Sequence, residues 1–394
     1  MTLQKRMPAV LLGAALITLA LSALGGTSAT NFGDPLPGLS AGQRARFLAG
    51  KAAFEDDETV PDGLGPVFNG TSCVSCHSAA ATGGGSSIIE TRFGRIFNGL
   101  FDPMTGVGGS LIQNQGIGLF NSVNFVGEVV PREATIVAQR RTTPLFGLGL
   151  VDNVPDQTLL NLAQQTGGRP NMVPFADPNT GHASIDPDTG QPRLKVGRFG
   201  WKCQQATLFT FSGDAYLNEM GITTPMFPDE NCPQGRCDLL QANPAPTNPN
   251  DPDNSTLVKL TDFMTFLGAP PPGPVTAQAR SGAQTFAAIG CANCHVPALQ
   301  IGDNVTFFPF SDFLLHDMGS LNDGIAQNGA SGQEMRTAPL WGVRVLKRFL
   351  HDGRVASLSQ AILAHDGQGK AARDNFASLH EIDQNNLIAF LKSL

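Results

Sequence analysis

Positive charge is in deficit along this chain. Lys and Arg total 26 against 33 Asp and Glu, a formal net charge of -7, which disfavours nucleic-acid binding. Tyrosine is nearly absent, one residue against 25 Phe and two Trp, which leaves few oxidisable rings, although compositional drift is the simpler account. Beyond Leu24 no apolar run approaches the ~20 residues of a membrane span. No Cys closes the N-terminal apolar run, which argues against a lipoprotein.

That first run is present for another reason. Lys5 and Arg6 precede an apolar stretch from Ala9 to Leu24, and the small residues Thr27, Ser28 and Ala29 follow, the pattern of a secretory signal over residues 1-29. Gly13, Thr18 and Ser22 interrupt the stretch and Gly25 and Gly26 follow it, so cleavage is favoured over a retained anchor. The expected product starts near Thr30, lies in the periplasm without membrane attachment, and carries a charge of -9, because the removed segment holds two bases and no acid.

At 394 residues the chain can bury more than one core. Residues 241-256 (QANPAPTNPNDPDNST) and Gly268-Pro274 (GAPPPGP) cannot continue a helix or strand, and LVKLTDFMTFL between them has helical spacing. This divides the chain into an N-terminal domain, 30-268, and a C-terminal domain, 275-394. A weak internal repeat supports duplication. Gly50 and Phe54 match Gly282 and Phe286; RRTTPLFG at 140-147 matches RTAPLWG at 336-342; RFGWKCQQATL at 198-208 matches RFLHDGRVASL at 348-358, which sets Trp201 opposite His351. The first copy is longer, mainly at 55-72 and 166-197. Its D-P-x-T-G stretches read as tight turns, with Ca2+ ligation as the secondary reading.

Two motifs carry the chemistry. Cys73-Val-Ser-Cys76-His77 and Cys291-Ala-Asn-Cys294-His295 each set two thiols one helical turn apart, with an imidazole adjoining. That spacing reaches both vinyl groups of a haem edge and presents His to the iron, so each motif predicts one covalently bound haem c. A zinc site pairing the two motifs would need them ~15-20 residues apart, far less than their actual separation. A disulfide reading leaves the His after each pair unexplained. Cys232 and Cys237, in the Pro/Gly loop ENCPQGRC, predict a disulfide in an oxidising compartment, leaving Cys203 as a buried free thiol.

The ligand opposite each His decides function, since two protein ligands make a carrier and an open position admits substrate. Met335 immediately precedes RTAP in the second copy, where the first copy has Arg140 before RTTP. A thioether ligates iron and a guanidinium does not. The expectation is therefore His295/Met335 at haem 2, and His77 with an open side near Arg140 at haem 1. Met318 and His316 are rivals at haem 2; Met104, Met220 and His182 are rivals at haem 1. An open haem handling peroxide needs a proton carrier, for which Glu219 in YLNEMGI is the candidate.

At these residues the chain resembles the bacterial di-haem cytochrome c peroxidase superfamily, in its di-haem oxidoreductase branch. The matching segments include GLGPVFNGTSCVSCH, GRFGWKCQQATL, NEMGITTPMFP, GCANCHVP, FSDFLLHDMG, RTAPLWG and FLHDGRVASLSQAILAHDGQ, spread from about Leu64 to about Gln368. The resemblance implies one haem that relays electrons and one that reduces peroxide, with Glu219 assisting O-O cleavage and Met335 as the relay ligand. It implies a small electron-donor protein, a cytochrome c or a cupredoxin, as partner. The expected fold is mainly α, two cytochrome c-like haem domains with long irregular loops. Two other functions stay open at this point: a non-catalytic electron carrier, and a haem oxidase or oxygenase acting on an organic or protein substrate.

Overall fold

The structure is a computed structural model that describes residues 29-245, 248-302 and 305-394. Of the anticipated signal, residues 1-29, only Ala29 lies among them. In chain order, the elements that position the site are α1 (Ala41-Glu55), β1 (Ile89-Phe97), β2 (Leu100-Asp102), β3 (Ile136-Arg141), α2 (Leu208-Met220), α3 (Ser255-Phe266), α4 (Ala277-Ala288), β4 (Leu315-Asp317), β5 (Glu334-Arg336), α5 (Leu358-Leu363) and α6 (Glu381-Leu391). No described helix is long and apolar enough to cross a membrane.

The duplication is legible in the backbone. Helix α1, opened by a reciprocal Ser40/Gln43 cap, packs on α3; α4, opened by Thr276, packs on α6. Each contact is closed over a glycine. A Cβ on Gly50 would stand 2.3 Å from the Lys259 carbonyl oxygen, and one on Gly282 only 1.8 Å from that of Asn386. One turn on, Phe54 and Phe286 present their rings to His77 and His295, with centroids 6.0 and 6.4 Å apart respectively. Because the atom in the way at Gly282 is backbone, Gly282→Ala must part α4 from α6. A loss of ~1-3 kcal/mol is expected, read as a lower midpoint of thermal unfolding; an unchanged midpoint would show that the helices separate freely.

The third repeated block folds alike in both copies. Phe199 bridges Gln205, and Phe349 bridges Val355; Thr207 then caps α2 by accepting from Thr210 N, and Ser357 caps α5 by accepting from Gln360 N. Every one of these pairs lies at the same offset in sequence. The copies also exchange main-chain bonds: Arg141 N donates to the His351 carbonyl at 2.7 Å, and Arg336 N to the Trp201 carbonyl at 2.8 Å. Arg141 and Arg336 are matched positions, as are Trp201 and His351, so the exchange is reciprocal.

The expectation of a mainly α protein is overturned: 35% of the described residues are helix and 18% strand, a mixed α/β architecture. Segments read as irregular loops form antiparallel ladders instead. Strand β1 (IETRFGRIF) alternates β-branched and aromatic residues with polar ones and pairs on one side with β2, on the other with β3, in the register Glu90↔Arg140. In the second copy β4 pairs with β5 in the register His316↔Met335. Strand-forming side chains outweigh the helical precedent set by the motif helices.

Two main apolar clusters form the interior. One gathers Phe47, Phe54, Phe146, Tyr216 and Phe263 with Phe307 and Phe313; the other gathers Phe286, Phe310, Phe376, Leu387 and Phe390. Asp177-Gly181 and Asp186-Gly190 are closed turns, with Gly N donating to the Asp carbonyl at 2.8 Å in both. Among the described residues no group of three or more His, Cys, Asp or Glu is placed to hold a metal ion. Cys232 and Cys237 form a disulfide. Cys203 is a buried free thiol that donates to the Phe313 carbonyl at 3.2 Å.

Candidate functional site

Each C-x-x-C-H motif opens onto a cavity. In the first, Cys73-Cys76 is a single helical turn and His77 N donates to the Cys73 carbonyl at 3.0 Å; in the second, Cys291-Asn293 is a tighter turn with the same His295-to-Cys291 bond, also 3.0 Å. The four motif thiols are free, not paired as disulfides. The turns place both thiols and the imidazole of each motif on the wall of its cavity, about 180 Å³ in the first copy and 480 Å³ in the second.

Both histidines are oriented in the same way. His77 Nδ1 lies 3.0 Å from the Gly84 carbonyl oxygen, and His295 Nδ1 lies 3.0 Å from that of Phe310. A carbonyl only accepts, so Nδ1 carries the proton and Nε2 keeps its lone pair. Burial lowers both groups to about 4, so each ring is neutral, as a metal ligand must be. A backbone carbonyl on the far ring nitrogen is the support that ligating histidines usually have. Two unpaired thiols, a neutral imidazole with a free Nε2 and a phenylalanine ring beside it form a donor set that fits a haem in each cavity.

The walls differ. The first cavity is lined by Glu90, Arg92, Asp214 and Glu219, alongside Ala215. Glu219, on the last turn of α2, accepts from Asn69 Nδ2 at 2.8 Å, and its carbonyl accepts from Asn69 N at 2.7 Å. Burial, reinforced by the Glu90 charge, pushes its carboxyl up to about 7, with the Asn69 bond opposing. Arg92 pairs with Glu90 and donates to Ser110 Oγ at 3.3 Å. Burial also pushes Asp214 up, to about 6.

Arg140 lines this cavity as well, but its guanidinium is committed elsewhere. Nε donates to Asp323 Oδ2 and Nη1 to Gln327 Oε1, both at 2.8 Å. Asp323 also holds Lys202, whose Nζ lies 2.9 Å from Oδ1, so one buried carboxylate serves two buried cations and is held below the usual carboxylate range by them. Arg140 thus ties the first copy to a loop of the second.

The second cavity holds Met335, buried on β5, with Met318, His316, His351 and His365. His316 has both ring nitrogens engaged: Nε2 lies 2.9 Å from Asp312 Oδ2, and Nδ1 lies 3.6 Å from Cys294 Sγ. Of the other rival ligands, Met104 is buried in a small cluster with Phe93 and Ile112, His182 lies on the exposed turn after Gly181, and Met220, buried at the end of α2, lines the first cavity. Trp201 and Arg141 line both cavities, and the Trp201 indole Nε1 donates to the Arg141 carbonyl at 3.1 Å.

Glu90 and His365 escaped the sequence reading. Glu90 sits in a segment with no motif, and only the β1-β3 register brings it beside Arg140. His365 lies beyond the last repeated block, and continuing that alignment by seven residues would have set it opposite Ala215.

Residues 18-92 and 121-394 match the model of the family described as "Di-haem oxidoreductase, putative peroxidase". No curated protein matches. Among solved structures, the diheme peroxidase BthA of Burkholderia thailandensis aligns at 15% identity over 89% of this chain and 86% of its own, with a TM-score of 0.42. Hydrazine synthase of Kuenenia stuttgartiensis aligns at 16% identity over 86% of this chain and 94% of its own, with a TM-score of 0.36.

Proposed function

Because the chain belongs to the di-haem oxidoreductase family, we propose that it reduces hydrogen peroxide in the periplasm, at a haem bound by Cys73, Cys76 and His77, with electrons supplied through a haem bound by Cys291, Cys294 and His295. Bound there by thioethers, the haems supply the redox chemistry: two electrons and two protons convert one peroxide into two waters. The chain's own task is to move protons and exclude side reactions.

The observation that carries the reading is the contrast between the walls. Only the first cavity sets a carboxyl of near-neutral pKa, Glu219, beside its haem motif. Asn69 fixes Oε2, and Glu90 keeps the carboxyl poised between its two states. Glu219 takes the proton from one peroxide oxygen and delivers it to the other, whose departure as water breaks the O-O bond. Arg140, held on Asp323, contributes positive charge to the wall rather than a proton. Trp201, bordering both cavities, supplies an aromatic path between the two sites.

The test is steady-state peroxide consumption by the di-haem protein with a reduced small cytochrome c or cupredoxin as donor. Turnover that saturates in both substrates is expected. Absence of turnover with every such donor, in protein carrying both haems, would remove the peroxidase reading. Peroxide-driven oxidation of an organic or protein substrate in its place would point to the oxidase.

A further inference from the structure

We propose that His365 is the second axial ligand of the iron held by His295, and that Ala215, at the matching place in the first copy, is what leaves the iron held by His77 open. The proposal rests on the reading that a haem occupies each cavity.

The geometry of the imidazoles leads to it. The His295 and His365 rings both line the second cavity, with centroids 6.4 Å apart and planes inclined by 60°. Two metal-imidazole bonds of about 2 Å each, plus the reach from each nitrogen to its ring centre, add up to roughly 6 Å across one metal ion. His365 Nδ1 lies 2.8 Å from the Ala361 carbonyl oxygen, the arrangement that Phe310 gives His295. Nδ1 is therefore the donor, and Nε2 has a lone pair to offer.

Three other candidates line the same cavity. His316 has no free ring nitrogen. Met335 is buried on a strand, and its counterpart Arg140 carries its side chain to Asp323 and Gln327. Met318 is partly exposed, on the turn after β4.

The repeat explains why only one iron is closed. The sequence offset that matches Phe199 with Phe349, Gln205 with Val355 and the caps Thr207 with Ser357 also sets Ala215 opposite His365, although α2 runs on through Ala215 and α5 ends at Leu363. Both residues line their own cavities. A methyl group cannot ligate iron, and Glu219 lies one turn beyond it, free to meet a substrate. Duplication gave two equivalent sites, and this position separates the carrier from the reactor.

The test is low-temperature EPR of the ferric di-haem protein with near-infrared absorption. The wild type should show a low-spin signal of bis-imidazole type and no thioether-to-iron band. His365→Ala should turn that signal high-spin, and added imidazole should restore it, while Met335→Leu leaves it unchanged. If His365→Ala does not load haem, His365→Met serves: it should stay low-spin, acquire the thioether band and show a higher reduction potential. Conversely, Ala215→His should turn the high-spin signal of the other haem low-spin. A low-spin signal indifferent to His365→Ala, or one lost on Met335→Leu or Met318→Leu, would overturn the proposal. These spectra do not depend on peroxide turnover, so the ligand assignment and the peroxidase reading fail separately.

Discussion

Replacing Glu219 with Gln is expected to lower peroxide turnover by about 100-fold or more while both haems stay bound, because the amide keeps the hydrogen-bonding shape of the carboxylate and loses its capacity to carry a proton. The pH dependence gives the sign. Glu219 must be ionised to accept the first proton, and burial with the neighbouring Glu90 charge pushes it up to about 7. Turnover should therefore rise with pH through the neutral range, on a limb that Glu219→Gln abolishes. Glu90→Gln removes a like charge, so it should lower the Glu219 pKa and move the limb toward acid. Turnover unchanged in Glu219→Gln would take this residue out of the site. A limb that stayed in place in Glu90→Gln would show that the Glu90 charge does not set its position.

What the sequence made legible was chemistry set by local spacing. Cys73 to His77 and Cys291 to His295 are turns of one helix or 3-10 segment, and their geometry follows from the backbone alone. Cys232 and Cys237 were likewise near enough in sequence to pair without knowledge of the fold. Membership of the family was legible for the same reason, since its motifs are contiguous. The strands were not: β1 meets β3 across more than forty residues, and nothing in IETRFGRIF names IVAQRR as its partner. Arg140 lines the first cavity, but its commitment to Asp323 is a contact across the two copies that no motif records. His365 was missed because the repeat was followed only as far as residues stay similar, and the informative position is one where the copies differ.

Removing the thiols of one motif at a time should separate the two haems. Cys73→Ala with Cys76→Ala is expected to leave a protein that retains a single haem after denaturation, reduces no peroxide in the steady state, and keeps the low-spin signal of the His295 site. Cys291→Ala with Cys294→Ala should also retain one haem and also fail in the steady state, for a different reason. Glu219, Asn69 and His77 remain in place, so a first encounter with peroxide should still register as a single change in absorbance. The local nature of both losses follows from the interior: Phe54 and Phe286, which border the two motif histidines, belong to separate apolar clusters. The copies are joined by the reciprocal Arg141-His351 and Arg336-Trp201 bonds, by Arg140 and Lys202 on Asp323, and by the Trp201 indole between the cavities. Were the peroxide encounter to survive loss of Cys73 and Cys76 and vanish with Cys291 and Cys294, the roles of the two haems would be reversed, and Glu219 could not be the proton carrier, since it lines the first cavity alone.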